Sequence, residues 1–280
     1  MRPVQRIASR ANPLVATLRR LARDGAAYRK EGRVWLEGDH LAAALVARGG
    51  RPPLAVLEEG AWDEARWRTL AAAAERVVLL PAALLASISA LESPARGGFV
   101  IDLPPAPSID PAAASVVLDR VQDPGNAGSI LRSAAAFGVT QVLALAGTVA
   151  LWSPKVLRAG MGAHFALRLV EGLDAAALDA LAVPLVATNP HAAQTLAGAA
   201  LPAPCAWVFG HEGQGIAPTL AGRCALAVRI PQPGGEESLN VAAAAAVCLY
   251  ESARRMPSAD AAARLPTPSP AAPSPPAGRS

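Results

Sequence analysis

Lysine is almost missing from this 280-residue chain: of its 26 basic Lys and Arg residues only Lys30 and Lys155 are lysine. With abundant alanine and 26 prolines, that bias is what a GC-rich coding sequence produces, so the preference for arginine carries little functional information by itself. Cysteine is scarce too. Cys205, Cys224 and Cys248 stand far apart in apolar runs with no His or Cys at metal-ligand spacing, which excludes a finger-like zinc site and fits free thiols in a reducing compartment. No Walker phosphate loop is present, and no metal centre is expected. Apolar runs are too short or too interrupted by charge to span a bilayer, and the N-terminal residues lack a signal-peptide core, so a cytoplasmic protein with no membrane partner is expected. Aromatics make up only 4% of the residues. Trp35, Trp62, Trp67, Trp152 and Trp207 are scattered rather than grouped as a base-stacking platform, and packing is their expected use.

Apolar residues are plentiful, at 52% of the chain, enough to build one or two cores; the length favours two domains. The net charge of +4 is compatible with a polyanionic partner without identifying one. Its distribution says more, because residues 1–33 hold nine basic side chains against two acidic ones. Arg19, Arg20, Arg23, Arg29, Lys30 and Arg33 are therefore the expected phosphate contacts.

The pattern is α/β throughout. Residues 1–11 are expected to be a flexible N-terminus. Asn12-Pro13 reads as a helix start, and Leu14, Leu18 and Leu21 recur at helical spacing. Strands are expected at 33–38, 54–57, 77–80 and 99–103, alternating with helices at 40–47, 61–74 and 82–89, which makes residues 12–103 a small α/β domain. Residues 104–111 are a proline-dense linker. Beyond it, in a second domain at 112–256, strand-length runs at 115–121, 141–146, 165–170, 185–188, 206–209 and 226–230 are apolar on both faces, the mark of a parallel sheet covered by helices. A final helix over 239–255 follows, and the Pro, Ala and Ser of 257–280 are expected to be a disordered tail.

Four phrases in the second half carry the chemistry: Asp123-Pro-Gly-Asn-Ala-Gly-Ser-Ile-Leu-Arg132, Ser153-Pro-Lys-Val-Leu-Arg-Ala-Gly-Met-Gly-Ala-His164, Gly210-His-Glu-Gly-Gln-Gly-Ile216 and Ile230-Pro-Gln-Pro-Gly-Gly-Glu-Glu-Ser-Leu-Asn240. The first has the form strand, turn, helix start, with Asn126 opening the helix, Arg132 six residues on, and Gly128 between them where a side chain would obstruct a close-approaching group. Alone, it also suits an N-capping asparagine and a surface arginine. Gly210 to Gly215 follows a strand, so it falls at the carboxyl end of the sheet, where open α/β folds bind ligands. Its glycines permit a tight turn, and His211 suits a polar structural role better than acid or base work. Ser238 is a natural N-cap for the last helix, which by itself explains its presence. Lys155 and Arg158 suit a surface helix as readily as an RNA contact.

In order and spacing the four phrases together resemble the SpoU/TrmH RNA ribose methyltransferases of the SPOUT superfamily. That resemblance implies a parallel sheet with a C-terminal trefoil knot, a homodimer formed through the catalytic domain, and an N-terminal RNA-binding domain of ribosomal-protein-like fold. It implies S-adenosylmethionine as cofactor and a structured RNA as substrate, ribosomal RNA favoured over transfer RNA, methylated on a ribose 2'-hydroxyl. By the same resemblance Arg132 activates the hydroxyl, Asn126 orients the site, Glu212 orders the pocket, and Ser238 and Asn240 stand on the substrate side. Gly210, Ile230, Leu239 and Thr188 fall on the cofactor side. Guanidinium stays protonated near neutral pH, so Arg132 is expected to hold the hydroxyl and a neighbouring phosphate rather than act as a simple base. The competing reading is a non-catalytic RNA-binding or ribosome-assembly protein on the same fold.

Overall fold

A computed structural model describes residues 4–234 and 238–256. Residues 257–280, expected to be a disordered tail, lie outside the described residues, as do Gly235, Glu236 and Glu237 of the last phrase.

The N-terminal half contains β1 (Val4–Arg6), α1 (Pro13–Arg23), α2 (Ala27–Glu31), β2 (Arg33–Glu37), α3 (Asp39–Val46), β3 (Leu54–Glu58), α4 (Ala65–Ala71), β4 (Arg76–Leu80), α5 (Ala82–Ala86) and β5 (Gly97–Asp102). Its sheet has the order β1-β4-β3-β5-β2, parallel across β1, β4 and β3 and antiparallel where β5 meets β3 and β2. The flexible N-terminus expected over residues 1–11 is corrected in part. Val4–Arg6 pairs with Val77, Val78 and Leu79, and the Ile7 N–H donates to the Leu79 carbonyl at 3.0 Å while its side chain is buried. An edge strand this short carries no period of its own, so only its partner 73 residues away reveals it. The helix expected over 61–74 is broken into a 3-10 turn at Glu59–Asp63 and α4, because Glu64 between them is extended at φ −82°, ψ 130°.

The second half comprises β6 (Ser115–Asp119), α6 (Pro124–Ala136), β7 (Gln141–Leu145), α7 (Pro154–Gly160), β8 (Arg168–Leu173), β9 (Leu185–Thr188), β10 (Gln194–Thr195), β11 (Ala206–Gly210), α8 (Pro218–Ala221), β12 (Leu226–Arg229) and α9 (Val241–Arg255). These seven strands form one wholly parallel sheet, β10-β12-β9-β11-β6-β7-β8. β8 starts three residues later than expected, after a 3-10 turn at Ala163–Ala166.

Alternation along the strands splits the apolar residues between two cores. Val116, Leu118, Val142, Ala144, Trp207 and Phe209 face one side, where α6, α7 and α9 contribute Ile130, Val156 and Cys248. Val117, Leu143, Val170, Leu185 and Val208 face the other. The first core runs on without a break into that of the N-terminal half through Val15, Leu18 and Trp35. A polar clasp reinforces the join, since the Glu171 carboxylate accepts from the Tyr28 hydroxyl at 2.9 and 3.0 Å and from the Leu151 N–H at 2.6 Å. Burial, then the neighbouring Glu171 charge, raises the Tyr28 hydroxyl pKa far above the ordinary phenol range.

Candidate active site

Because β6, β9, β11 and β12 run parallel, the loops leaving their carboxyl ends meet on one edge of the sheet. Asp123, not Asn126, caps the helix after β6: its side chain accepts from the Asn126 N–H at 2.8 Å, and Pro124 opens α6. The Asn126 side chain is thereby released to reach outward. Its amide nitrogen donates to Glu212 at 3.1 Å, and its carbonyl oxygen accepts from the Asn240 amide at 2.9 Å. Three of the four phrases are thus tied by one hydrogen-bonded chain, Glu212 to Asn126 to Asn240.

Glu212 also accepts from the N–H groups of Asp123 and Gln122, at 3.1 and 3.3 Å. Partial burial alone would raise its carboxyl; the bonds from Asn126 and from these backbone groups outweigh that and hold it below the usual carboxylate range. An ionised carboxylate with its lone pairs so committed is an orienting group, not a proton acceptor. Asn240 does double duty, its carbonyl oxygen accepting from Ala242 and Ala243 N–H at 2.9 and 3.2 Å as the cap of α9. The cap expected at Ser238 is therefore corrected: α9 starts at Val241, and Ser238 is exposed in the loop before it.

Thr188, Ile230 and Leu239, expected on the cofactor side, line one cavity of about 90 Å³ together with Asn189, Gln232 and Ser238, the last of which was expected on the substrate side. The Gln232 side-chain oxygen is buried with no hydrogen-bond partner among the described residues, and Gln232 is one of the residues lining the cavity. Such an oxygen, beside the apolar Ile230 and Leu239, fits the amino-bearing purine of S-adenosylmethionine. Gly210 ends β11, where an added Cβ would collide with the backbone of Gly215 and Ile216. The close approach there is made by the loop itself, closed by reciprocal His211 and Gly215 backbone bonds at 3.0 and 2.8 Å. His211 serves the same turn, its Nδ1 accepting from Gly213 and Gln214 N–H. Gly128 is likewise corrected: it is buried against α7, and a Cβ would strike Ala159 and the backbone of Gly160 and Val156 rather than a ligand.

Sequence reasoning missed Asp119 and Arg120. Arg120 holds a left-handed φ of 60°, unusual for a side-chain-bearing residue. Its guanidinium pairs with Asp119 at 3.0 and 3.2 Å and reaches across to the Gln214 side chain at 2.9 Å and the Gly215 carbonyl at 3.3 Å. Asp119, only 3% exposed, also accepts from the Ala217 N–H at 2.6 Å. The pair locks the Gly210–Gly215 loop onto the end of β6. The only sequence signal was an adjacent acid and base closing an apolar strand.

Arg132 lies on α6 with Asn126, exposed and without a hydrogen bond or ion pair among the described residues. It is not joined to the Glu212–Asn126–Asn240 chain. Of the expected phosphate contacts, Arg19 and Arg23 instead donate to residues 87–89, Arg20 pairs with Glu31, Arg29 with Glu171 and Arg33 with Asp102. Lys30 is exposed with no such partner among the described residues.

The family model of the SpoU rRNA methylases matches residues 113–250, the span of the larger sheet and all four phrases. An uncharacterised tRNA/rRNA methyltransferase of Synechocystis is 34% identical over 89% of this chain and 93% of its own length. The chain belongs to the SpoU methyltransferase family. Both halves share in the likeness to solved SpoU-type structures. An RNA 2'-O ribose methyltransferase superposes with a TM-score of 0.75 at 32% identity, over 89% of this chain and 98% of its own. An AdoMet-bound rRNA methyltransferase from Sinorhizobium meliloti does so with a TM-score of 0.78 at 25% identity, over 91% and 99% of the two chains. The SpoU reading makes this chain an RNA methyltransferase, an enzyme and not only a binding protein.

Proposed function

We propose that the protein transfers a methyl group from S-adenosylmethionine to a ribose 2'-hydroxyl of structured RNA, ribosomal RNA before transfer RNA. The observation that carries this reading is the hydrogen-bonded chain Glu212–Asn126–Asn240, which ties the turn of Asp123 to the loops flanking the Gln232 cavity. The cofactor would supply an electrophilic methyl carbon. Thr188, Ile230 and Leu239 would hold its adenosine end, with Gln232 accepting from the exocyclic amine. Exposed Arg132 would grip the 2'-hydroxyl and an adjacent phosphate, stabilising negative charge as the hydroxyl oxygen bonds to carbon and its proton leaves to phosphate or water. Rate then comes from alignment and electrostatics rather than from a basic side chain.

The same reading includes a homodimer, a knotted C-terminus and a ribosomal-protein-like N-terminal domain that takes part in RNA binding. For the dimer, α9 leaves Val247 and Tyr250 exposed at 41% and 54%, and Met256 just past its end is exposed at 52%, a large apolar surface for one amphipathic helix and its cap. For the knot, β12 inserts between β9 and β10 before the chain returns as α9 to pack on α6 and β11. A reducing, cytoplasmic setting suits three free thiols whose pKa values burial raises to about 11, 11 and 12 at Cys205, Cys224 and Cys248.

The test is Arg132→Ala. Methyl transfer to RNA should fall at least a hundredfold, about 3 kcal/mol of lost transition-state contact, while calorimetric affinity for S-adenosylmethionine stays within a few fold. A variant keeping half its activity would remove Arg132 from the chemistry.

A further inference from the structure

We infer that the cleft between the two halves is a binding site for RNA phosphodiesters, built from Arg23, Lys155 and Arg158; this rests on the methyltransferase reading above. The cleft encloses about 330 Å³ between the end of α1, Ala90, the loop before α7, and Pro124 at the start of α6. Among the described residues no acidic side chain lines it.

Its three cationic residues come from both halves of the molecule. Lys155 and Arg158 lie three residues apart on α7, the spacing that puts two side chains on one helix face. Neither has a hydrogen bond or ion pair among the described residues, although Arg158 is half-buried. Arg23 is held from the opposite wall by the carbonyls of Ser87, Ile88 and Ser89, at 3.0, 3.4 and 3.2 Å. Carbonyls orient a guanidinium but do not cancel its charge. Arg20, Arg29 and Arg33, by contrast, each have a carboxylate. Three like charges around a cleft without a neutralising acid repel one another, and an anion between them removes that cost.

The position selects the anion. Pro124 lines the cleft two residues before Asn126, so a phosphate held there lies beside the first turn of the helix that carries the orienting asparagine. A strand bound across the cleft would be anchored on both halves while its ribose is presented at Asn126. RNA binding thus falls to α7 and the last turn of α1 rather than to the basic stretch of residues 1–33 as a whole.

The experiment uses the full chain, radiolabelled protein-free ribosomal RNA and a salt series in filter binding. Lys155→Ala with Arg158→Ala should weaken RNA binding roughly tenfold and flatten the slope of log affinity against log salt by about one to two, as two lost phosphate contacts require. Calorimetric affinity for S-adenosylmethionine should not change. Lys155→Ala alone, at an exposed position that cannot impair folding, should give about half the slope change, and Lys30→Ala should give none. Variants with the wild-type slope, or an equal change for Lys30→Ala, would overturn the cleft as the site and leave the methyltransferase reading standing. A wild-type chain that binds S-adenosylmethionine but no RNA would overturn both.

Discussion

At Arg120 the main chain turns left-handed, a conformation that costs an L-residue about 1–2 kcal/mol, yet the side chain there makes four polar contacts that close the Gly210–Gly215 loop. Strain and anchorage can be separated by two substitutions. Arg120→Ala keeps the strain and leaves the buried Asp119 carboxylate with only the Ala217 N–H, so it should destabilise the fold and weaken S-adenosylmethionine binding. Arg120→Gly loses the same contacts but relieves the backbone, and should be about 1 kcal/mol more stable than the alanine variant in urea unfolding. Equal stabilities would show that φ at this position costs nothing. Nothing in the sequence marks the left-handed backbone of this residue, because such a position is legible only when glycine or asparagine occupies it.

His164 is a second residue whose role lies in burial. It is 2% exposed, packs against Trp152 with ring centroids 5.2 Å apart, and donates from Nε2 to the Leu151 carbonyl at 2.8 Å. Burial lowers its pKa to about 4, from an ordinary 6.5. The folded state therefore binds this proton less readily than the unfolded one. Its stabilising contribution is complete above pH 6.5 and is lost as pH falls towards 4, on the order of 3 kcal/mol in all. Denaturant titrations at pH 7 and pH 4.5 should show a loss that His164→Gln largely removes; an unchanged loss in that variant would place the acid sensitivity elsewhere.

At the scale of elements, what was legible followed from periodicity and what was not followed from contact. Continuous apolar runs such as Val116, Val117 and Leu118 announced a doubly covered parallel sheet, and the sheet is there. The asparagines of the first and last phrases were singled out from the sequence. Their mutual hydrogen bond was not, because it joins positions 114 residues apart. Asn240 also displaced Ser238 as the cap, a choice that depends on where the loop after β12 lets α9 begin. The two duties of Asn240 predict different outcomes for two substitutions. Asn240→Ala should cost about 1 kcal/mol from the lost cap and also reduce methyl transfer. Asn240→Asp keeps a capping oxygen at the positive end of α9, so stability should hold, but it cannot donate to Asn126, and activity should fall at least tenfold. Retained activity in the aspartate variant would reduce Asn240 to a cap.

For the whole molecule, the decisive feature is that one core and the Tyr28–Glu171 clasp fix the N-terminal half against the sheet that carries the site. The basic stretch at the N-terminus pointed to nucleic acid, but Arg19, Arg20 and Arg33 are bound to groups of the same half and Arg29 to Glu171 of the other. Charge counts along a sequence cannot distinguish a guanidinium spent on the fold from one left for a ligand. The acceptor proposed for the methyl group is a ribose oxygen, and the chemistry of RNA offers a direct reading of it. A 2'-O-methyl group blocks the attack by which alkali cleaves the neighbouring phosphodiester. Ribosomal RNA incubated with the full chain and S-adenosylmethionine labelled in its methyl group should, after complete alkaline hydrolysis, carry its label in alkali-resistant dinucleotides. Label recovered in mononucleotides would mean methylation of a base, and would contradict the assignment.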